Sequence, residues 1–329
     1  MKKIRWVLIG CGKVVLKNKK TPFINRNNTI IAICTTSIDH SLKAKEKLKL
    51  KNCNCYDNIN LLLKEELFDA IYICTPPKYH YYYLKILASK NVPLIYVEKP
   101  FVLNRKQALK VLNMYKESTT QIIVAHYKRL LPKIQQLKKI LINRKIGLPY
   151  KIVGIYNRKL NLELINQSWI YKKDISGGGR FFDISPHILD ILYYLFGPLE
   201  KIQSKTFYDS YYHNCESKVF TNFFVDNIPC RLQFILDNDK DTDLLYIYCE
   251  NGFIKTSINR NLPILIYNNR GLLLKKIYFK NPKIWGIEYV RKIDLFLKKG
   301  IMNPELANLK DAFLIQTYID KILKESQIQ

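Results

Sequence analysis

Four short stretches carry residue types that could do chemistry. The densest is Ser176-Gly177-Gly178-Gly179-Arg180-Phe181-Phe182-Asp183-Ile184-Ser185-Pro186-His187-Ile188-Leu189-Asp190. At about 100° per residue on a helix, Asp183, His187 and Asp190 share one face. An imidazole between two carboxylates able to orient and tune it is what a general acid/base needs near neutral pH. The three glycines mark the mouth of that helix, expected from near Phe181 to Phe196, with Pro186 within about its first turn and Gly197 as the stop. No further ligand is spaced for a metal, so no metal site is expected.

The second and third stretches are Thr75-Pro76-Pro77, followed by His80, and Glu98-Lys99-Pro100. Each ends an apolar, Ile/Val/Tyr-rich run, Ala70 to Cys74 and Val92 to Val97, and a helical segment from Tyr79 to Ser89 lies between them. That is strand, crossover helix and parallel strand, whose carboxyl ends face one crevice. The fourth stretch, Gly10-Cys11-Gly12-Lys13-Val14-Val15, follows a first strand at Ile4 to Ile9. Two glycines so placed allow a tight turn and close approach of backbone to a pyrophosphate at a helix N-terminus. Val15 replaces the usual third small residue. The second strand, Thr29 to Cys34, ends in Thr35-Thr36-Ser37 with no carboxylate for a ribose 2′-hydroxyl. Hydroxyls and nearby Lys43 or Lys45 suit a 2′-phosphate better, which leans the cofactor from NAD towards NADP.

These stretches need a scaffold, and the periodicities supply one. Helices at Leu42 to Leu50, Asn58 to Glu66 and Leu103 to Glu117, with a strand at Gln121 to Ala125, complete the cadence of a doubly wound parallel sheet, an N-terminal α/β Rossmann domain over residues 1–124. Residues 125–329 change texture. A basic helix at Pro132 to Asn143 precedes strands at Tyr150 to Arg158, Leu199 to Tyr208, Val219 to Phe224, Pro229 to Leu236, Asp243 to Cys249 and Asn251 to Ser257. A helix at Glu305 to Lys324 closes the chain. This reads as an α+β domain with a large, mainly antiparallel open sheet.

Composition removes several function classes. The 329 residues are 48% hydrophobic and 25% charged, ordinary for a globular protein, and charges interrupt every apolar run well before it spans a membrane. The formal charge is +27, but 43 of the 54 basic residues are scattered lysines, without the clustered arginine forks of a nucleic-acid reader, so no specific nucleic acid is expected. Eight dispersed cysteines form neither a zinc nor a disulfide pattern, which points to the cytoplasm.

Taken in order and spacing, GCGKV at residue 10, TPPKYH at 75, EKP at 98 and GGGRFFDISPHILD at 177 resemble the glucose-fructose oxidoreductase and inositol dehydrogenase family, called Gfo/Idh/MocA-like, over essentially the full length. The resemblance implies an NAD(P)-dependent dehydrogenase or reductase acting on a sugar, polyol or nucleotide-sugar. Carried over by position, Gly10, Gly12, Lys13 and Val14 line the pyrophosphate and Thr35 and Thr36 the adenosine ribose. Thr75, Pro76, His80 and Glu98 lie along the rest of the cofactor, while Lys99, Asp183 and His187 meet the substrate. Tyr127 stands where many members have Asn beside the nicotinamide. The resemblance further implies a cis Lys99-Pro100 peptide and a homodimer or homotetramer. Loops around Lys128, Arg129, Trp169 and Tyr171 are expected to set specificity, the two basic groups admitting an anionic substituent. A redox-cycling hydrolase or lyase, and a dinucleotide-binding regulator without turnover, are the alternatives.

Overall fold

A computed structural model describes residues 3–12, 15–16, 28–159, 165, 168–236, 240–284 and 286–324. The chain divides into two compact units, residues 1–127 with 282–313, and residues 128–281 with 314–329. The expected boundary at 124/125 lies three residues before the end of the first segment at Tyr127, and a distant segment clusters with the first unit.

The first unit is built on a six-stranded sheet of order β3-β2-β1-β4-β5-β6, parallel throughout. The strands are β1 (Ile4–Ile9), β2 (Asn28–Cys34), β3 (Asn54–Tyr56), β4 (Ala70–Ile73), β5 (Leu94–Val97) and β6 (Gln121–Val124). The central strands β4 and β5 are buried along their whole length, as continuous apolar runs covered on both faces must be. β3 is an addition to the expected strands. The chain runs outward from β1 to β3, then restarts on the other side of β1 at β4, so the switch point lies between β1 and β4.

Helices Ile38–Lys47, Ile59–Glu65, Pro77–Leu87 and Arg105–Met114 connect these strands. The first starts four residues earlier than expected because Ser37 caps it, accepting the His40 N–H. The returning segment brings a further helix, Ile287–Lys299, that the sequence reading lacked. Its fully buried Tyr289 donates to the Val124 carbonyl (2.9 Å) and accepts from the Ala307 N–H (2.6 Å). Asn28 donates to both carboxylate oxygens of Asp294 at 2.9 and 3.1 Å, so the return is anchored at β2 as well as β6.

The second unit holds an eight-stranded sheet of order β14-β13-β12-β11-β7-β10-β9-β8, in which β7 and β10 form the parallel pair. The strands are β7 (Pro149–Arg158), β8 (Leu199–Asp209), β9 (Cys215–Val225), β10 (Ile228–Leu236), β11 (Thr242–Cys249), β12 (Gly252–Thr256), β13 (Ile264–Asn268) and β14 (Leu273–Ile277). β13 and β14 extend the expected set. Burial alternates along β10 and β11, the signature of one covered face. That face packs on helices Pro132–Ile142 and Arg180–Phe196 through Ile134, Leu137, Phe182, Leu189, Phe223 and Phe234. The other face carries partly exposed aromatic side chains, including Tyr248, Phe253 and Tyr267, with the last two stacked at 4.6 Å.

Candidate functional site

At the switch point the two glycines do different work. Gly10 has φ +83°, and a Cβ there would stand 2.6 Å from Thr75 Cγ2, so both conformation and the close approach of the β4 turn demand glycine. A Cβ on Gly12 would meet nothing within 4 Å, so its backbone faces open space where a phosphate can approach. The Gly12 carbonyl accepts the N–H groups of Val15 and Leu16, both at 3.1 Å, which closes the turn. Val15 is buried, so its bulk is taken up by the core. Lys13 and Val14 lie outside the described residues.

A cavity of about 540 Å³ opens from this turn. Gly10, Gly12, Thr35, Thr36, Thr75 and Pro76, six of the expected cofactor residues, line it together. At the β2 end His40, Lys43 and Lys47 join them, while Tyr79, Tyr82 and Tyr83 from helix Pro77–Leu87 supply an aromatic wall. No Asp or Glu is among the described lining residues. Lys47, rather than the expected Lys45, is the second lysine of the lining, one helical turn on from Lys43. The Thr35 hydroxyl donates to the Ser37 carbonyl at 2.9 Å and lies 3.0 Å from Ser41 Oγ, and Thr36 Oγ1 lies 3.3 Å from His40 Nδ1.

His80, expected along the cofactor, is fully buried instead. Its Nε2 lies 2.8 Å from the Thr75 carbonyl, and its Nδ1 lies 3.1 and 3.0 Å from those of Pro100 and Phe101. Burial lowers its pKa, against the opposing pull of the three carbonyls. The imidazole therefore sits between the turn after β4 and the turn after β5, donating to one of them in either neutral tautomer and packing against the other. Glu98 and Lys99 follow β5 on the same edge of the sheet, and the Lys99-Pro100 peptide is cis. Glu98 accepts a hydrogen bond from Tyr72, whose buried ring stacks on Tyr96 at 5.0 Å. Tyr72 was not singled out in the sequence, where it reads as one more apolar strand residue.

In the second unit, helix Arg180–Phe196 carries the acid/base candidates. It begins one residue earlier than expected, at Arg180, so Pro186 is its seventh residue rather than a first-turn one, and the bond from position 186 to Phe182 is forgone. Asp183 is partly exposed and accepts from Arg180 at 3.0 Å, while His187 is 8% exposed. Asp190 lies deeper. It is 1% exposed and receives Arg129 Nε at 3.0 Å and a second guanidinium nitrogen at 2.6 Å. Arg129, expected on a specificity loop, is thus half of a buried ion pair. Lys128 is buried too, donating to Asn259, so neither basic group presents itself as an anion receptor. Tyr171 is buried against Tyr212, whereas Trp169 is 38% exposed.

Three comparisons place this geometry among known proteins. Residues 4–126 match an oxidoreductase family with an NAD-binding Rossmann fold, and residues 134–255 match a GFO/IDH/MocA C-terminal domain. An oxidoreductase from Formosa agariphila is 33% identical over 207 residues, 61% of this chain and 63% of its own length. The D-glucoside 3-dehydrogenase of Escherichia coli is 23% identical over 59% of this chain and 54% of that one, so the match spans only part of each relative. The WlbA dehydrogenase of Bordetella pertussis, solved with NADH and UDP-GlcNAcA, superposes with a TM-score of 0.81 at 17% identity over 99% of this chain and 97% of that one, a likeness of fold.

Proposed function

The chain belongs to the Gfo/Idh/MocA oxidoreductase family, and from that premise we propose that it is an NAD(P)-dependent oxidoreductase acting at a hydroxyl- or carbonyl-bearing carbon of a sugar, polyol or nucleotide-sugar. The observation that carries this reading is the cavity at the β1/β4 switch point, which opens over a glycine turn with room for a pyrophosphate at Gly12. When bound there, the dinucleotide supplies the hydride chemistry. The protein's own part is to bind, orient and manage one proton.

Gly10 and Gly12, with Lys13 and Val14, hold the pyrophosphate. Thr35 and Thr36 face the adenosine ribose, and Thr75, Pro76 and Glu98 continue along the cofactor. His187 is the general acid/base, with Asp183 beside it on the helix. Lys99 donates a hydrogen bond to the reacting oxygen and stabilises its developing negative charge. The proton role passes to Lys99 if His187 proves dispensable.

For the cofactor we favour NADP. His40, Lys43 and Lys47 line the ribose end without an opposing carboxylate, the charge pattern suited to a 2′-phosphate. Self-association through the aromatic face of the larger sheet is the quaternary reading. A reducing compartment such as the cytoplasm suits eight cysteines none of which is paired; among the described residues no helix is long and apolar enough to cross a membrane.

The test is binding of NADP(H) and NAD(H) to purified protein at low and moderate salt, followed by consumption of added NAD(P)H with a panel of sugars, polyols and nucleotide-sugars. We expect NADP(H) to bind at least about tenfold more tightly than NAD(H) and to survive moderate salt. Binding that vanishes with salt would sink the enzyme reading. Tight binding with turnover but no net oxidation would move the function to a redox-cycling hydrolase or lyase.

A further inference from the structure

We propose that Glu216 is a positioning residue for the helix bearing Asp183 and His187, its buried carboxylate standing in for the side-chain cap that the helix lacks. The inference rests on the reading of His187 as the proton-handling group.

Helix Arg180–Phe196 is capped by Gly179, which has no side chain to bind the helix's first N–H groups. Glu216, 1% exposed, reaches in from β9 and accepts the Gly179 N–H itself. The fit leaves no slack. A Cβ on Gly178 would lie 2.3 Å from Glu216 Oε1, and one on Gly179 would lie 2.6 Å from Oε2. Two of the three glycines are therefore explained by the carboxylate packed against them. Ser176 and Cys215 donate to the Gly178 carbonyl, the thiol at 3.3 Å, so the loop is held from both sides.

Glu216 points inward because of a fault in the sheet. Phe207 opposes Lys218 but Tyr208 opposes Glu216, so Ser217 is an extra residue in β9 and the alternation reverses there. A bulge that re-aims one side chain is a device, not a defect. Without it Glu216 would share the outward side with Lys218 and Asn222. His187 lies eight residues beyond Gly179, about 12 Å along the helix, so a small change at its entry is carried directly to the imidazole.

The groups facing this carboxylate are few. Lys173 is the nearby cation and favours the ionised form, while the Cys215 thiol and the Tyr171 and Tyr208 phenols are all raised by burial and stay neutral. Arg180 and Asp183 of the helix itself act on the same pocket through Tyr171. Burial raises Glu216 to about 7, with backbone N–H groups and Lys173 pulling against it.

The experiment compares Glu216→Ala and Glu216→Gln with His187→Asn. His187→Asn first fixes which limb of the pH–rate profile belongs to the imidazole. The alanine variant is expected to keep NAD(P)H affinity within about twofold, to lose roughly tenfold to a hundredfold in kcat, and to shift that limb; the glutamine variant, still an acceptor for Gly179, recovers most of kcat. A lowered Tm with kcat and the limb unmoved would make Glu216 merely structural and overturn the proposal. If His187→Asn keeps the limb, the parent reading fails, and the wild-type protein still decides the matter, as it does if the alanine variant will not fold. By NMR the Gly179 amide proton of the wild-type protein should lie downfield and exchange slowly with solvent, as a donor to a buried carboxylate does; a Gly179 amide that exchanges freely would overturn the inference.

Discussion

Gly10 and Gly12 separate what a glycine does for the fold from what it does for a ligand. At Gly10 an alanine would be forced into φ +83° with its Cβ 2.6 Å from Thr75, so Gly10→Ala should cost about 1–2 kcal/mol or more in urea unfolding. At Gly12 the Cβ enters open space, so Gly12→Ala should leave the unfolding free energy within about 0.5 kcal/mol of wild type. Dinucleotide affinity in the same variant should nevertheless fall by at least about tenfold, because the methyl occupies the approach to the phosphate. Equal stability losses in the two variants would mean the Gly12 turn is structural. Sequence spacing alone identified both positions, since a strand followed by two glycines and a helix is a local pattern. Arg129 was expected on a specificity loop and Asp190 as a carboxylate able to orient His187, while no local pattern marked Glu216. Neighbours in sequence do not reveal a partner 61 positions away, or a bulge beneath a residue, that takes a charge into the interior.

At the scale of elements, the buried strands and their crossover helices were legible because β4 and β5 are continuous Ile/Val/Tyr runs ended by turn residues. The edges were not. β3 has three residues, and β14 is exposed for most of its length, so neither carries the apolar alternation that marks a half-buried strand. Between elements, His80 is the contact that no periodicity announces. It packs between the Thr75 carbonyl on one ring nitrogen and the Pro100 and Phe101 carbonyls on the other, and donates its single N–H to one side. His80→Phe keeps the volume but removes the one N–H that the neutral ring donates to these buried carbonyls, and should destabilise the protein by about 1–3 kcal/mol. It should also weaken dinucleotide binding, although the ring lies outside the cavity lining. A variant that unfolds more easily yet binds the cofactor with wild-type affinity would show that the two turns are held independently.

For the whole molecule, the return of residues 282–313 to the first unit was hidden because it depends on contacts such as Asn28–Asp294, far apart in the chain and ordinary in composition. The scattered charge of +27, by contrast, has a consequence for stability that can be separated from that of two buried groups. Burial raises Glu216 from 4.5 to about 7, so between those values the folded state keeps a proton the unfolded chain has released. Its contribution is fully present below 4.5 and is lost as pH rises through 7. Lys133, 3% exposed and donating to the Arg260 carbonyl at 2.6 Å, is lowered by burial from 10.5 to about 8. There the unfolded chain holds the extra proton, so stability rises with pH from about 8 to 10.5. Each group acts with an amplitude of order 3 kcal/mol, and both belong to the second unit, which should be least stable between them, near neutral pH. Urea unfolding of wild type, Glu216→Gln and Lys133→Met isolates the two effects as differences. Wild type should lose ground to Glu216→Gln between pH 5 and 7, and gain on Lys133→Met between pH 8 and 10. Added salt should raise the stability of all three by screening the surface lysines, yet leave both differences in place, because buried groups are screened little. Differences that collapse with salt would place the titrating groups at the surface and remove both residues from the account.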